Sequence, residues 1–325
     1  MLDFINALPG AISQGLVWGI MAIGVYITYK LLDIADLTVD GSFCTGGATF
    51  VVLFSGGVNL WLALLAALCA GMLTGLVTGL LHTFCGIPAI LAGILTQLGL
   101  WSVNLAIMSM KANVSINVTS KESLDSLLVS LRFVQDVAKG DRPFWQHPIF
   151  VVGLFTAVII LVLYWFFGTE LGCSLRATGS NANMARAQGI NTDFTKVLGL
   201  MLSNGLVALS GALLAQYQSY ADINMGRGAI VIGLAAVIIG EVIFSRIFRN
   251  FALSLLAVSI GAILYYIVIQ AVLAMGLNSN YLKLLSATVV GLFLAIPYWK
   301  GKYVRVKVKP SAAGADVKIG GDRNA

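Results

Sequence analysis

The chain reads as an all-α, polytopic membrane protein of about nine transmembrane or partly re-entrant helices. Three observations carry that reading. Charged residues make up only 10% of the 325 positions and hydrophobic ones 58%. A soluble domain needs about 25% charge to wet its surface, so lipid must solvate this chain. Mean hydropathy is +0.91, and the apolar residues fall into long runs of the kind that cross a ~30 Å hydrocarbon core as helices.

The runs are 11–32, 37–56, 58–82, 86–109, 148–168, 196–217, 229–244, 251–275 and 281–299. The second, fourth and seventh are short or broken by glycine, at Gly41, Gly46 and Gly47, at Gly86 and Gly93, and at Gly228, Gly233 and Gly240. Interrupted helices survive at membrane depth only under a cover of protein or along a watery path. These three are therefore expected to line a transport path. No basic stretch precedes the first apolar run, so no removable leader is expected.

Lys and Arg set the orientation. With nine crossings, 13 basic residues share a side with the tail after Trp299 and 7 lie opposite, 5 of them in the long 110–147 loop. The N-terminus is expected outside and the C-terminus inside. Residues 1–300 form the membrane domain, 110–147 an extracytoplasmic loop with helical spacing over 122–138, 169–195 a polar cytoplasmic segment, and 301–325 a basic cytoplasmic tail. The +6 net charge sits mostly beside spans, which points to membrane anchoring and away from nucleic acid.

The chain also reads as internally duplicated. Ile34-Ala-Asp-Leu-Thr-Val-Asp-Gly41, followed by a glycine-rich span and a long one, returns loosely as Tyr220-Ala-Asp-Ile-Asn-Met-Gly-Arg-Gly228. The repeats cover about 11–109 and 196–299. An odd number of crossings separates them, so they are inverted, and a path is expected at their interface.

Chemistry-bearing residues are few. Cys44, Cys69, Cys85 and Cys173 show no metal spacing and read as small packing residues, and His82 and His147 are too far apart for a metal site. No metal, cofactor or catalytic residue is expected. No GxxxxGK[ST] phosphate loop occurs, so any ATPase must be another chain. Gly71, Gly75 and Gly79 form a small-residue row, expected to pack two helices closely within one subunit or, alternatively, to serve a dimer interface.

Asp40 opens the second run and is expected to cap it, with Asp36 in reach. It is also the first candidate partner for an ammonium group on a solute. Glu241 ends the seventh run and is expected to pair with Arg246 and Arg249. Ser42, Thr45, Gln97 and Asn104 are uncharged polar groups in the weak runs. They serve either helix-to-helix hydrogen bonds or a polar path. Together with Asp40 and Glu241 they form the candidate solute path.

Three phrases carry a family resemblance: Leu32-Asp-Ile-Ala-Asp-Leu-Thr-Val-Asp-Gly-Ser42; Arg176-Ala-Thr-Gly-Ser-Asn-Ala-Asn-Met-Ala-Arg-Ala-Gln-Gly-Ile-Asn-Thr-Asp193; and Leu209-Ser-Gly-Ala-Leu-Leu-Ala-Gln216 with the glycines that follow from Gly226 to Gly240. From about residue 11 to 300 the chain resembles a permease of the bacterial branched-chain amino acid/ribose ABC importer superfamily. It is most similar to the subgroup associated with tryptophan or tyrosine uptake.

The resemblance implies a type II-like permease in the bacterial cytoplasmic (inner) membrane, paired with a second copy of itself. It also implies two cytosolic ATPase subunits, which hold the ATP and magnesium, and an extracytoplasmic binding protein or lipoprotein. The solute is then a small polar one, an amino acid and by preference an aromatic one. The 169–195 segment becomes the ATPase-coupling segment, with a short surface helix over 181–188 and Arg176, Gly179, Asn181, Met184, Ala185, Arg186 and Gln188 as coupling residues. The alternative is a stand-alone secondary transporter or channel, which needs no such polar island.

Overall fold

The computed structural model describes residues 2–116, 148–244 and 250–274, with scattered positions from 284 to 295. The helices are α1 (Leu2–Tyr26), α2 (Val39–Ser55), α3 (Leu60–Thr83), α4 (Ala89–Ile107), α5 (Pro148–Gly168), α6 (Glu170–Ser180), α7 (Ala182–Ala187), α8 (Thr192–Gln218), α9 (Ala229–Phe244) and α10 (Phe251–Ala274). A π-helical turn, Ile27–Leu31, extends α1. Two short strands, β1 (Asn113–Ser115) and β2 (Tyr220–Asp222), pair antiparallel.

Among the described residues six helices are long and apolar enough to cross a membrane, and α2 and α9 are shorter apolar helices. At 1.5 Å per residue, the 17 residues of α2 reach about 25 Å, short of a full crossing. The second and seventh runs are thus short helices, entered through loops 32–38 and 223–228. The fourth differs from expectation. It is the unbroken 19-residue α4, and Gly93 serves close approach instead, with its missing side chain making room for the Leu37 backbone. The ninth run, 281–299, lies almost entirely outside the described residues, as does the helix expected over 122–138.

Polar side chains fix the helix starts. Asn59, Thr169, Asn181 and Asn191 each accept a hydrogen bond from a backbone N–H in the first turn of α3, α6, α7 and α8. Packing then joins the two halves crosswise, because α8 lies against α2 and α3 while α1 lies against α9 and α10. The glycine row is the seam of the first contact. A Cβ at Gly71, Gly75 or Gly79 would run into α8 at Asn204, Leu200 or Val197. Small rows of this kind let two backbones touch where lipid offers no hydrophobic drive. Trp18 of α1 stacks on Phe43 of α2 at 4.9 Å within the main core.

Candidate functional site

The two short helices, α2 and α9, meet at their N-termini. Asp40, in the first turn of α2, does not cap its own helix. Its Oδ2 accepts from Gly228 N at 2.9 Å and its Oδ1 from Ile230 N at 3.0 Å. It therefore caps α9, where a helix N-terminus favours an anion. From this junction α2 runs toward the β1–β2 end, where Cys44 Sγ approaches the Asp222 carbonyl at 3.6 Å. In the other direction α9 runs toward the α6–α7 end, where Glu241 pairs with Lys30 at 3.1 Å.

Beside the junction lies a cavity of about 330 Å³ lined by Asp40, Gly41, Cys44, Gln97, Leu98, Trp101, Asn104, Ile223 and Arg227. Of the candidate path residues it gathers Asp40, Gln97 and Asn104. The Asn104 Nδ2 donates to the Gly41 carbonyl at 3.3 Å, while its buried Oδ1 has no partner.

Ser42 and Thr45 are not in its wall. Ser42 donates to Asn204 Oδ1 at 2.7 Å and Thr45 to the Gly41 carbonyl at 3.0 Å, both buried. Their side chains leave α2 on the face that packs against α8 or back along the helix. Glu241 is also elsewhere, half-exposed at the bundle's end with Lys30. Arg246 and Arg249, its expected partners, lie outside the described residues. A second cavity of about 400 Å³ lies at the β1–β2 end, with Gln14, Trp18, Asp222 and Tyr266 in its wall. Loop 223–228 separates the two, since Ile223 and Arg227 face the first and Asn224 and Met225 the second.

Trp101 and Arg227 were not among the candidates from sequence. The Arg227 guanidinium carbon sits 4.9 Å from the centroid of the Trp101 ring. The signal was present, since an arginine between two glycines in an apolar repeat is a functional candidate at membrane depth. Among the described residues no three His, Cys, Asp or Glu side chains gather into a metal site.

The polar 169–195 segment folds as α6, α7 and the start of α8. Gly179 lies directly on the Leu31 carbonyl, so that a Cβ there would overlap it. Ala185 is 1% exposed and packs within the chain, whereas Met184 is 57% exposed. Asn181 caps α7, accepting from Met184 N at 3.0 Å. Arg176 donates to the Phe167 carbonyl at 2.8 Å and lies over the Phe251 ring. Arg186 donates to Thr192 Oγ1 at 2.8 Å and reaches Asp193 at 3.8 Å. Met184 and Gln188 thus face outward, while Gly179 and Ala185 face the chain's own core.

The family described as branched-chain amino acid transport system, permease component, matches residues 8–306. A tyrosine transport system permease protein of Clostridioides difficile (strain R20291) is 36% identical over 290 residues, 89% of this chain and 91% of that one. The autoinducer 2 import system permease LsrC of Salmonella paratyphi B (strain ATCC BAA-1250 / SPB7) is 26% identical over 73% of this chain and 64% of its own length. The fructose import permease FruF of Bifidobacterium longum (strain NCC 2705) is 26% identical over 78% and 67%. Among solved structures, PsaBC from Streptococcus pneumoniae in complex with Fab aligns with TM-score 0.39 and 18% identity, over 83% of this chain and 95% of that one.

Proposed function

The chain belongs to the branched-chain amino acid transport system permease family, and from that premise we propose that it forms the path by which an ATP-driven importer takes up an aromatic amino acid. One observation carries the choice of solute. The tyrosine permease shares 36% identity over 89% of this chain, whereas the fructose permease shares 26% over 78%. The cavity agrees in kind, with an indole, an amide pair and an arginine around a space of amino acid size.

In this reading two copies of the chain enclose the path, in the inner membrane with the α6–α7 end in the cytoplasm. The exposed face of α7 docks on an ATPase subunit, and a binding protein delivers solute at the β1–β2 end. Closure of the ATPase pair pushes α6 and α7. Gly179 passes that push to Leu31 and so to the loop before Asp40. The tight Gly179–Leu31 contact supports this route, because two backbones in van der Waals contact cannot slide independently.

Uptake of labelled tyrosine, tryptophan, phenylalanine, leucine and fructose, in cells expressing the chain with its ATPase and binding protein, tests the proposal. Aromatic uptake that stops when the ATPase is inactivated is the expected result. Uptake that persists without the ATPase makes the chain a stand-alone carrier, and fructose or leucine uptake alone overturns the solute. Single cysteines at positions 126 and 311 should label from opposite sides of the membrane; labelling from one side refutes the orientation.

A further inference from the structure

We infer that the cavity between α2 and α4 reads the solute's carboxylate through Arg227, an inference that rests on the importer reading above. Arg227 stands in the loop entering α9. Its neighbour Gly226 packs on the Asp40 backbone, and Gly228 N bonds the Asp40 carboxylate. The arginine therefore sits beside the junction of α2 and α9, at the level of Ser42 and its partner Asn204, near the midpoint of α8. Arg227 is exposed, and a cation at that depth is costly unless water or a polar ligand meets it.

Among the described residues no carboxylate lies within ion-pair distance of Arg227. The acid in the same cavity, Asp40, has both oxygens engaged by backbone N–H groups of α9. It thus serves as the cap of α9, with each oxygen already holding one donor. Trp101 takes the face of the guanidinium at 4.9 Å. A guanidinium held by its face keeps its N–H edge for a planar, bidentate acceptor, and a carboxylate has that geometry.

A second observation points to a ligand at the same place. Asn104, 2% exposed, stands in the cavity wall with its Oδ1 unpartnered. A buried acceptor without a donor is rare in folded proteins. The atom is itself covered, and a turn of the amide toward the cavity presents it to a solute N–H or O–H donor. A neutral sugar supplies such donors but no carboxylate, so Arg227 selects the class. That class is small organic carboxylates of amino acid size.

Binding to the full-length chain in lipid nanodiscs tests this with three probes. L-tyrosine carries both charged groups, 3-(4-hydroxyphenyl)propionate keeps the carboxylate alone, and tyramine keeps the ammonium alone. Both carboxylates should bind, and tyramine should bind at least about tenfold more weakly. Arg227→Gln should weaken tyrosine binding about tenfold, with Arg227→Lys between it and the parent, because a point charge lacks the fork. Equal binding of tyramine and tyrosine, or tyrosine binding unaffected by Arg227→Gln, overturns the inference. If Arg227→Gln does not fold, the probe ranking on the unaltered chain decides. Leucine bound with the same dependence on Arg227, and tyrosine not bound, refutes the aromatic reading but supports this one. Fructose bound regardless of residue 227, with no carboxylate bound, overturns this one.

Discussion

The side-chain amide of Asn204 donates to the Asp36 carboxylate at 2.6 Å, joining positions 168 residues apart. The other Asp36 oxygen accepts from Thr38 N at 2.9 Å, and Asn204 Oδ1 accepts the Ser42 hydroxyl at 2.7 Å. All four residues are buried. This chain of bonds fastens loop 32–38 to the middle of α8. Asn204→Leu should cost about 3 kcal/mol, because it strips a donor from a buried carboxylate. Asp36→Asn keeps an acceptor and should cost less. Thermal unfolding of the purified variants measures both, and an unchanged midpoint for Asn204→Leu would show that the loop is held by other contacts.

Asp40→Ala should free the first N–H groups of α9 at a cost of about 1–2 kcal/mol, the usual range for a lost cap. Asp40→Asn retains one acceptor and should fall between. The local signature is faster hydrogen exchange at Gly228 and Ile230. Parent-like exchange there in Asp40→Ala would mean that α2 and α9 are not joined by this carboxylate.

The glycine row makes a paired prediction. Gly75 lies against the Leu200 carbonyl, while Gly99 has open space around it. Gly75→Leu should destabilise the chain by about 1–3 kcal/mol or more through overpacking. Gly99→Leu should stay within about 0.5 kcal/mol, as surface substitutions do. Similar unfolding midpoints for the two would contradict the α3–α8 contact.

Met184 and Ala185 are adjacent yet face opposite ways, 57% and 1% exposed. Met184→Asp should lower ATPase co-purification and solute-stimulated ATP hydrolysis severalfold while leaving the permease's melting temperature unchanged. Ala185→Asp should lower the melting temperature itself, because it buries a charge between α7 and the chain. Normal ATPase coupling in Met184→Asp would move the docking surface off α7.

Much of this architecture was legible without coordinates. Hydropathy located the long helices because transfer into lipid depends on local composition alone. Glycine content flagged α2 and α9 as weak spans, and they are indeed short, but both run unbroken through their internal glycines. It misread α4, because a glycine that ends a helix and one that admits a neighbouring backbone look alike in sequence. Gly93 is of the second kind.

The site was half legible for a related reason. Polar residues in apolar runs are rare enough to stand out, and Asp40, Gln97 and Asn104 do share a cavity wall. Which way each side chain faces depends on the helix beside it. Ser42, one turn or less from Asp40 and Thr45, is claimed by Asn204 of α8. No local pattern encodes that partner.

The sequence by itself determined that the chain lies in lipid, where the long described helices run, and which family it joins. These follow from composition and from contiguous phrases. The fold decided that Asp40 caps the helix of the other half, that Gly179 touches Leu31, and that Trp101 and Arg227 share one cavity. Each is a meeting of residues far apart in the chain. Backbone donors, close glycine contacts and ring faces find partners only when crosswise packing of the two halves brings them within a few ångströms.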